Sequence, residues 1–230
     1  MNRDRLAGAL AALFWVVFGI TLVIRLMAGD GGLLASEMLR AAPPAVSGLP
    51  EQDYPGVGAM TAEYLTGKRE SFQYVSAQGT VETACRRVEV FQEHEAAHMA
   101  DCRGLIRLDT VVCVCCGAAA AALTAAGWIR KKGREAFLRG ILTGLRIAAA
   151  AAVAMGIWAL VNFDGLFVTF HRVAFRNDGW LLNPRTDLLI RLMPEKFFVR
   201  LGIIGAAWAL VIPVLLDICA RIALGRMRKQ

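Results

Sequence analysis

Charge is missing from long parts of this sequence. Residues 6–24, 110–129 and 147–163 contain no Asp, Glu, Lys or Arg, and residues 197–218 contain only Arg200 and Asp217. Each run approaches the roughly 20 helical residues needed to cross a hydrocarbon core. With 57% hydrophobic residues and a mean hydropathy of +0.49, the 230-residue chain is too apolar for a soluble domain. The expectation is an all-α membrane protein with four transmembrane helices, forming one membrane domain over residues 1–230. The first run is longer than the core of about 7–15 residues in a cleaved secretory signal. It therefore reads as an uncleaved anchor.

Histidine is scarce. There are three, His94, His98 and His171, and none lies in an apolar run. A zinc-ligand cysteine framework is also lacking, since the C-x-C-C of residues 113–116 lies within an apolar run. Cys113, Cys115 and Cys116 fall inside the second run and Cys219 near the inner end of the fourth, where cysteine acts as a small apolar contact residue. Cys85 and Cys102 both fall outside the spans, where a disulfide is chemically allowed. No internal repeat is present.

The net charge of +7 is not a nucleic-acid signal, because it separates by topology. Lys and Arg stay on the cytoplasmic side of short membrane loops. With both termini cytoplasmic, the inner segments carry 12 basic residues against Asp4, Glu135 and Asp217. Residues 26–108 and 164–196 then face outward and form a small extracytoplasmic cap that carries the site. The breaker-rich residues 29–32 and 41–50 read as loop. Residues 59–65 suggest a short helix stopped by Gly67, and residues 72–75 and 88–91 could pair as a small hairpin.

A helix is expected from about Gln92, carrying the polar ramp EHEAAHMADCRGLIRLD of residues 93–109 straight into the second span. Positions three and four apart share a helix face, so His94, His98 and Asp101 can converge, with Glu95 beside them. The same residues spell H-E-x-x-H, the zinc-protease pattern. That alternative needs a third ligand, for which His171, Asp101 or Glu93 are the candidates, and a water activated by Glu95. No downstream segment resembles the third-ligand helix of such proteases. The second outer segment is rich in Phe and Trp, which suits a lipid interface; Phe170, Ala174 and Trp180 could dip into lipid.

Two long patterns carry a resemblance. The first is E-x-x-H-M-x-D-C at residues 95–102. The second runs from Phe163 to Phe198 and includes Phe170-His171, Trp180, Pro184, Asp187, Pro194 and Phe197-Phe198. Together with the order of the spans, they resemble the bacterial lipoprotein intramolecular transacylase family over the whole chain. Cys102 stands where that family usually has an aliphatic residue, and His94 lies outside its pattern. The resemblance implies a multi-pass enzyme of the bacterial cytoplasmic membrane, acting at the outer face. Its substrate would be a lipoprotein whose N-terminal cysteine carries a diacylglyceryl group. The sn-2 acyl chain would move to the α-amino group of that cysteine, giving the lyso-form lipoprotein. His98 and His171 match the family's essential pair.

The chemistry fits two imidazoles without metal or cofactor. The amine must lose a proton and the glycerol oxygen must gain one. Because nucleophile and ester share one molecule, holding one conformer supplies effective molarity. Asp101 is a candidate to orient His98, or to pair with Arg103 or Arg107. Glu95, Arg176, Trp180 and Asp187 are further supporting candidates, with Arg172, Arg185 and Arg191 as interfacial anchors. The partners expected are the modified lipoprotein and membrane lipid. A greasy cavity with both histidines at its polar end is also expected. Imidazoles more than about 8 Å apart would instead favour a non-enzymatic scaffold, since acid and base across a reacting bond sit roughly 6.5–9.5 Å apart in glycosidases.

Overall fold

The computed structural model describes residues 2–76 and 90–229, and every regular element among them is a helix. In chain order the α-helices are α1 (Arg3–Ala28), α2 (Gly31–Ala41), α3 (Pro44–Ser47), α4 (Tyr54–Leu65), α5 (Glu93–Ile129), α6 (Arg134–Val161), α7 (Phe163–Ala174), α8 (Leu188–Leu192), α9 (Glu195–Ala209) and α10 (Val211–Met227), with single 3-10 turns at Glu51–Asp53 and Lys131–Gly133 leading into α4 and α6. Four helical stretches are long and apolar enough to cross a membrane: Arg3–Ala28, Glu93–Ile129, Lys131–Val161 and Glu195–Met227. They contain three of the four expected apolar runs whole, and residues 147–161 of the run 147–163. The fourth is divided at Leu210. Pro213 has no N–H to give the Ala209 carbonyl, and the last turn before it is freed.

The helices group into two units. The first comprises Met1–Val23, Asp109–Leu166 and Gly205–Gln230. Its outer surface is apolar, with Val111, Val114, Leu160, Val161 and Trp208 all exposed. That inverts the pattern of a soluble bundle and suits hydrocarbon as solvent. Its interior is built from small residues, which let backbones approach where lipid offers no hydrophobic drive for association. Gly140 and Gly144 of α6 form a G-x-x-x-G pair. A Cβ on Gly140 would collide with the Arg5 carbonyl, and one on Gly8 with the Phe137 carbonyl. Around this seam Ala11, Ala12, Phe137, Leu138, Ile141 and Ala220 are buried. The Trp15 indole N–H donates to Thr124 Oγ1 at 3.1 Å, pinning α1 to α5.

The second unit comprises Ile24–Leu108 and Phe167–Ile204. α2 starts inside a stretch expected to be loop. Asp30 explains this: its side chain accepts from the Leu33 N–H at 2.9 Å and caps the helix. The Gly31-Gly32 pair then sits in the first turn. α2 packs on α4 so closely that a Cβ on Gly31 would meet the Ala59 backbone. α4 is longer than the expected 59–65, with Pro55 in its first turn and Gly67 in the left-handed region (φ 82°) just past its end. Met38, Leu49, Tyr54, Val57, Met60, Leu188, Leu192 and Phe197 form the core of this unit. Burying each large apolar side chain contributes about 1.5–3 kcal/mol. The Tyr54 hydroxyl donates to the Ala42 carbonyl and pairs with Ser47 Oγ. Buried Glu37 is neutralised by Arg200 and Arg40.

Of the expected hairpin, one backbone bond is present, from the Val90 N–H to the Tyr74 carbonyl at 3.1 Å. Half of its second segment, residues 88–89, and Cys85 lie outside the described residues. Cys102 is a free cysteine.

Candidate active site

α5 carries His98 and α7 carries His171, both within the second unit. Their ring centres lie 6.1 Å apart with the planes 30° from parallel. His98 is 8% exposed and His171 is 7% exposed. Aromatic rings surround them. Phe175 lies 5.1 Å from His98 and 5.4 Å from His171, while Phe167, Phe170 and Trp180 lie 4.0, 5.2 and 5.0 Å from His171. Phe167, His171 and Phe175 are spaced four apart, and one helical turn therefore brings each onto the next.

The two imidazoles have different partners. His171 Nδ1 lies 2.8 Å from the Phe167 carbonyl, which can only accept. Nδ1 therefore carries the proton and Nε2 is the basic nitrogen. Burial pushes the His171 pKa below the ordinary imidazole range, against the opposing effect of the Phe167 carbonyl. His98 Nε2 lies 3.6 Å from the Cys102 thiol. His98 Nδ1 is buried and has no hydrogen-bond partner among the described residues. Such an orphan atom costs roughly 1–3 kcal/mol. Two buried imidazoles this close also repel each other's charge, which disfavours a second proton on the pair.

Glu95 is fully buried and both its oxygens are used. One accepts from the Gln92 N–H at 2.7 Å, the return half of a capping box at the start of α5. The other accepts from the Leu189 N–H at 2.6 Å, in the first turn of α8. Gln92 Nε2 adds a bond to the Thr186 carbonyl at 3.0 Å. Glu95 thus clips the start of α5 to the 183–192 segment.

Asp187 completes the clip. It is 3% exposed and accepts from the Asn183 N–H, Thr186 Oγ1 and His94 Nε2 at 2.8, 2.6 and 3.0 Å. Burial pushes its pKa up, but these three donors outweigh it and hold the carboxyl below the usual range. Asp101 accepts from Asn177 Nδ2 at 2.9 Å. It ties α5 to the loop after α7, a partner outside both expected roles, orienting His98 or pairing with Arg103 or Arg107. Arg103 instead reaches Glu70 at 3.5 Å and lies over the Tyr64 ring. Arg176 is exposed, beside buried Phe175.

The H-E-x-x-H spacing does not assemble a metal site. His94 turns to Asp187, His98 turns to His171, and Glu95 is taken up by two backbone N–H groups. No cluster of three or more His, Cys, Asp or Glu suited to a metal is present among the described residues. A cavity of about 670 Å³ lies against α2 and α4, lined by Ala35, Leu39, Tyr54 and Glu63, and neither histidine lines it. The sequence reading missed Phe175, Phe167 and Cys102 as contacts of the histidines, although their four-residue spacing was visible.

Four apolar helices with a buried imidazole pair among aromatic rings define a helical integral membrane protein with a site suited to proton transfer. The profile of the family described as lipoprotein intramolecular transacylase Lit matches residues 9–198. The chain therefore belongs to the lipoprotein intramolecular transacylase family, and it is an acyltransferase. Solved structures agree on the fold. The in meso structure of the membrane integral lipoprotein intramolecular transacylase Lit from Bacillus cereus superposes with a TM-score of 0.76 at 18% identity, covering 99% of this chain and 98% of that one. Two structures of the same protein, with one histidine replaced by arginine or by alanine, superpose with TM-scores of 0.70 at 19% and 20% identity. They cover 98% and 99% of this chain and 94% and 96% of theirs, respectively. No curated protein matches the chain significantly.

Proposed function

We propose that the chain moves the sn-2 acyl chain of an N-terminal diacylglyceryl-cysteine onto the α-amino group of the same cysteine. The 6.1 Å approach of two buried imidazoles carries this reading. His171 is the base. Its Nδ1 proton is committed to Phe167, and its lowered pKa keeps Nε2 unprotonated at neutral pH. Nε2 takes a proton as the amine nitrogen attacks the ester carbonyl. The tetrahedral adduct then collapses: the carbonyl carbon's bond to the glycerol oxygen breaks, and that oxygen receives a proton. His98 is the acid. A thiol proton from Cys102 toward Nε2 selects the tautomer with its N–H at Nδ1, the atom that has no protein partner. His98 gives up this proton as it receives the one that His171 took from the amine, so neither ring is left as an imidazolate and no net proton is consumed.

Arg176, exposed and next in sequence to Phe175, is a cation available to the oxyanion. Trp180 and the phenylalanines exclude water, which would otherwise compete with the amine. Glu95, Asp101 and Asp187 are positioning residues that hold α5, the loop after α7 and α8 in register. In this reading residues 26–108 and 164–196 face outward from the bacterial cytoplasmic membrane, and the substrate reaches the histidines at headgroup level from the outer leaflet. The partners are the diacylglyceryl lipoprotein and the surrounding lipid.

His98→Ala and His171→Ala should each leave the acyl chain on glycerol in a model lipoprotein analysed by mass spectrometry. General acid or base catalysis is worth about 10²–10⁴-fold, so both losses should be plain. Unchanged N-acylation in both variants defeats the assignment.

A further inference from the structure

Away from the histidines, in the first unit, the ends of three helices leave a cleft of about 240 Å³. Arg5 of α1, Arg139 and Arg146 of α6, and Arg228 at the end of α10 all line it, with Leu142, Thr143 and Leu224. Four like charges around so small a space repel one another. Most basic residues nearby have partners of their own: Arg130 has Asp4, Arg221 has Asp217, and Arg134 donates to the Trp128 carbonyl. In the cleft Arg139 has a carboxylate, Glu135 at 2.7 Å. Arg5 donates to Thr143 Oγ1 at 3.2 Å. Among the described residues, no ion pair joins Arg5, Arg146 or Arg228 to a carboxylate.

We infer that this cleft binds the phosphate of an anionic phospholipid in the leaflet on the side of the chain's termini. Guanidinium forks match phosphate oxygens in pairs. The space falls below the roughly 300 Å³ at which sites for drug-sized ligands begin, and a headgroup phosphate is smaller than those. The cleft also sits where lipid headgroups lie. Arg146 is the last charge before the apolar run 147–163, and Arg5 the last before 6–24. Exposed Ile147, four residues on from Thr143 and so on the same face of α6, continues from it as surface for an acyl chain. A soluble phosphate would have no use for that apolar continuation. Basic pockets between membrane helices take anionic headgroups on these grounds.

The test uses the full chain in detergent and native mass spectrometry, titrating phosphatidylglycerol, phosphatidylcholine and inorganic phosphate separately. Phosphatidylglycerol should stay bound in preference to phosphatidylcholine. Arg146→Gln/Arg228→Gln should weaken it about fivefold for each arginine removed. Lys131→Gln/Lys132→Gln removes the same charge outside the cleft and should change binding little. Equal binding of the two lipids overturns the inference, and so does equal loss in the two double variants. Inorganic phosphate that binds as well as phosphatidylglycerol overturns the lipid assignment. The comparison of lipids on the unmodified chain stands even if a variant does not fold.

Discussion

Glu95 shows how one side chain can look catalytic in sequence and be structural in place. Its spacing to His94 and His98 writes a metalloprotease motif, yet its oxygens are occupied by the N–H groups of Gln92 and Leu189. The bond to Gln92 is local, three residues away, but Gln92 is not the Ser or Thr that announces a capping box in sequence. The bond to Leu189 was not legible, because 94 residues separate the two. Glu95→Gln leaves one of these buried N–H groups facing an amide that donates. The variant should lose about 1–3 kcal/mol, read as a lowered midpoint of thermal unfolding in detergent. An unchanged midpoint would remove the clip from the account. The pairing of His98 with His171 was suggested by two outer segments ending at one membrane face and by the motif resemblance, whereas helix spacing alone gave His98 a neighbour in His94. His94 found Asp187 instead, again across a long sequence separation.

His171 also makes a pH prediction. Its pKa is lower folded than unfolded. Below the unfolded value of about 6.5, the unfolded chain takes up the proton first, so stability falls as pH drops through that value toward the folded one. Above it both states are neutral and His171 contributes no slope. Asp187 acts in the same direction at lower pH, since its depressed folded pKa supplies stability above about 3.9 that is lost as its carboxyl is protonated. Thermal unfolding should therefore be flat from pH 7 to 8 and decline from pH 6.5 to 5. His171→Gln should flatten the upper part of the decline. A decline of unchanged shape in that variant would contradict the burial argument.

Among the helices, the four spans and the continuous α5 followed from charge-free runs and from the ramp leading into one of them. The elements that did not follow are short and set by caps or contacts. α2 hid behind Gly31-Gly32 because its start depends on Asp30 as cap. α8 has five residues, too few to show a period. The break at Leu210 was carried by Pro213, which lay unread inside an otherwise uniform apolar run. The Gly140/Gly144 seam was likewise visible as spacing, but its meaning comes from α1, whose Arg5 carbonyl occupies the place of a side chain. Gly140→Leu forces those two backbones apart. It should cost about 1–3 kcal/mol or more in unfolding measurements, whereas Gly156→Leu, with open space around it, should cost little. Equal effects at the two glycines would refute the close packing of α1 on α6.

For the molecule as a whole, the sequence divides its labour by solvent. One unit is apolar outside and small-residue inside, and the other buries Met, Tyr and Leu around partnered acids, as a water-facing body does. Both histidines of the site belong to the second unit. The central claim is that they act as one device, passing a proton in and a proton out of a single acyl migration. Rates of N-acylation of a model diacylglyceryl lipopeptide, measured by mass spectrometry for the His98→Ala, His171→Ala and double variants, test it most directly. Residues that act as a unit are strongly non-additive. The double variant should be no slower than the slower single variant, each about 10²–10⁴-fold below the unmodified enzyme. Losses that multiply in the double variant, or a single variant at full rate, would contradict it.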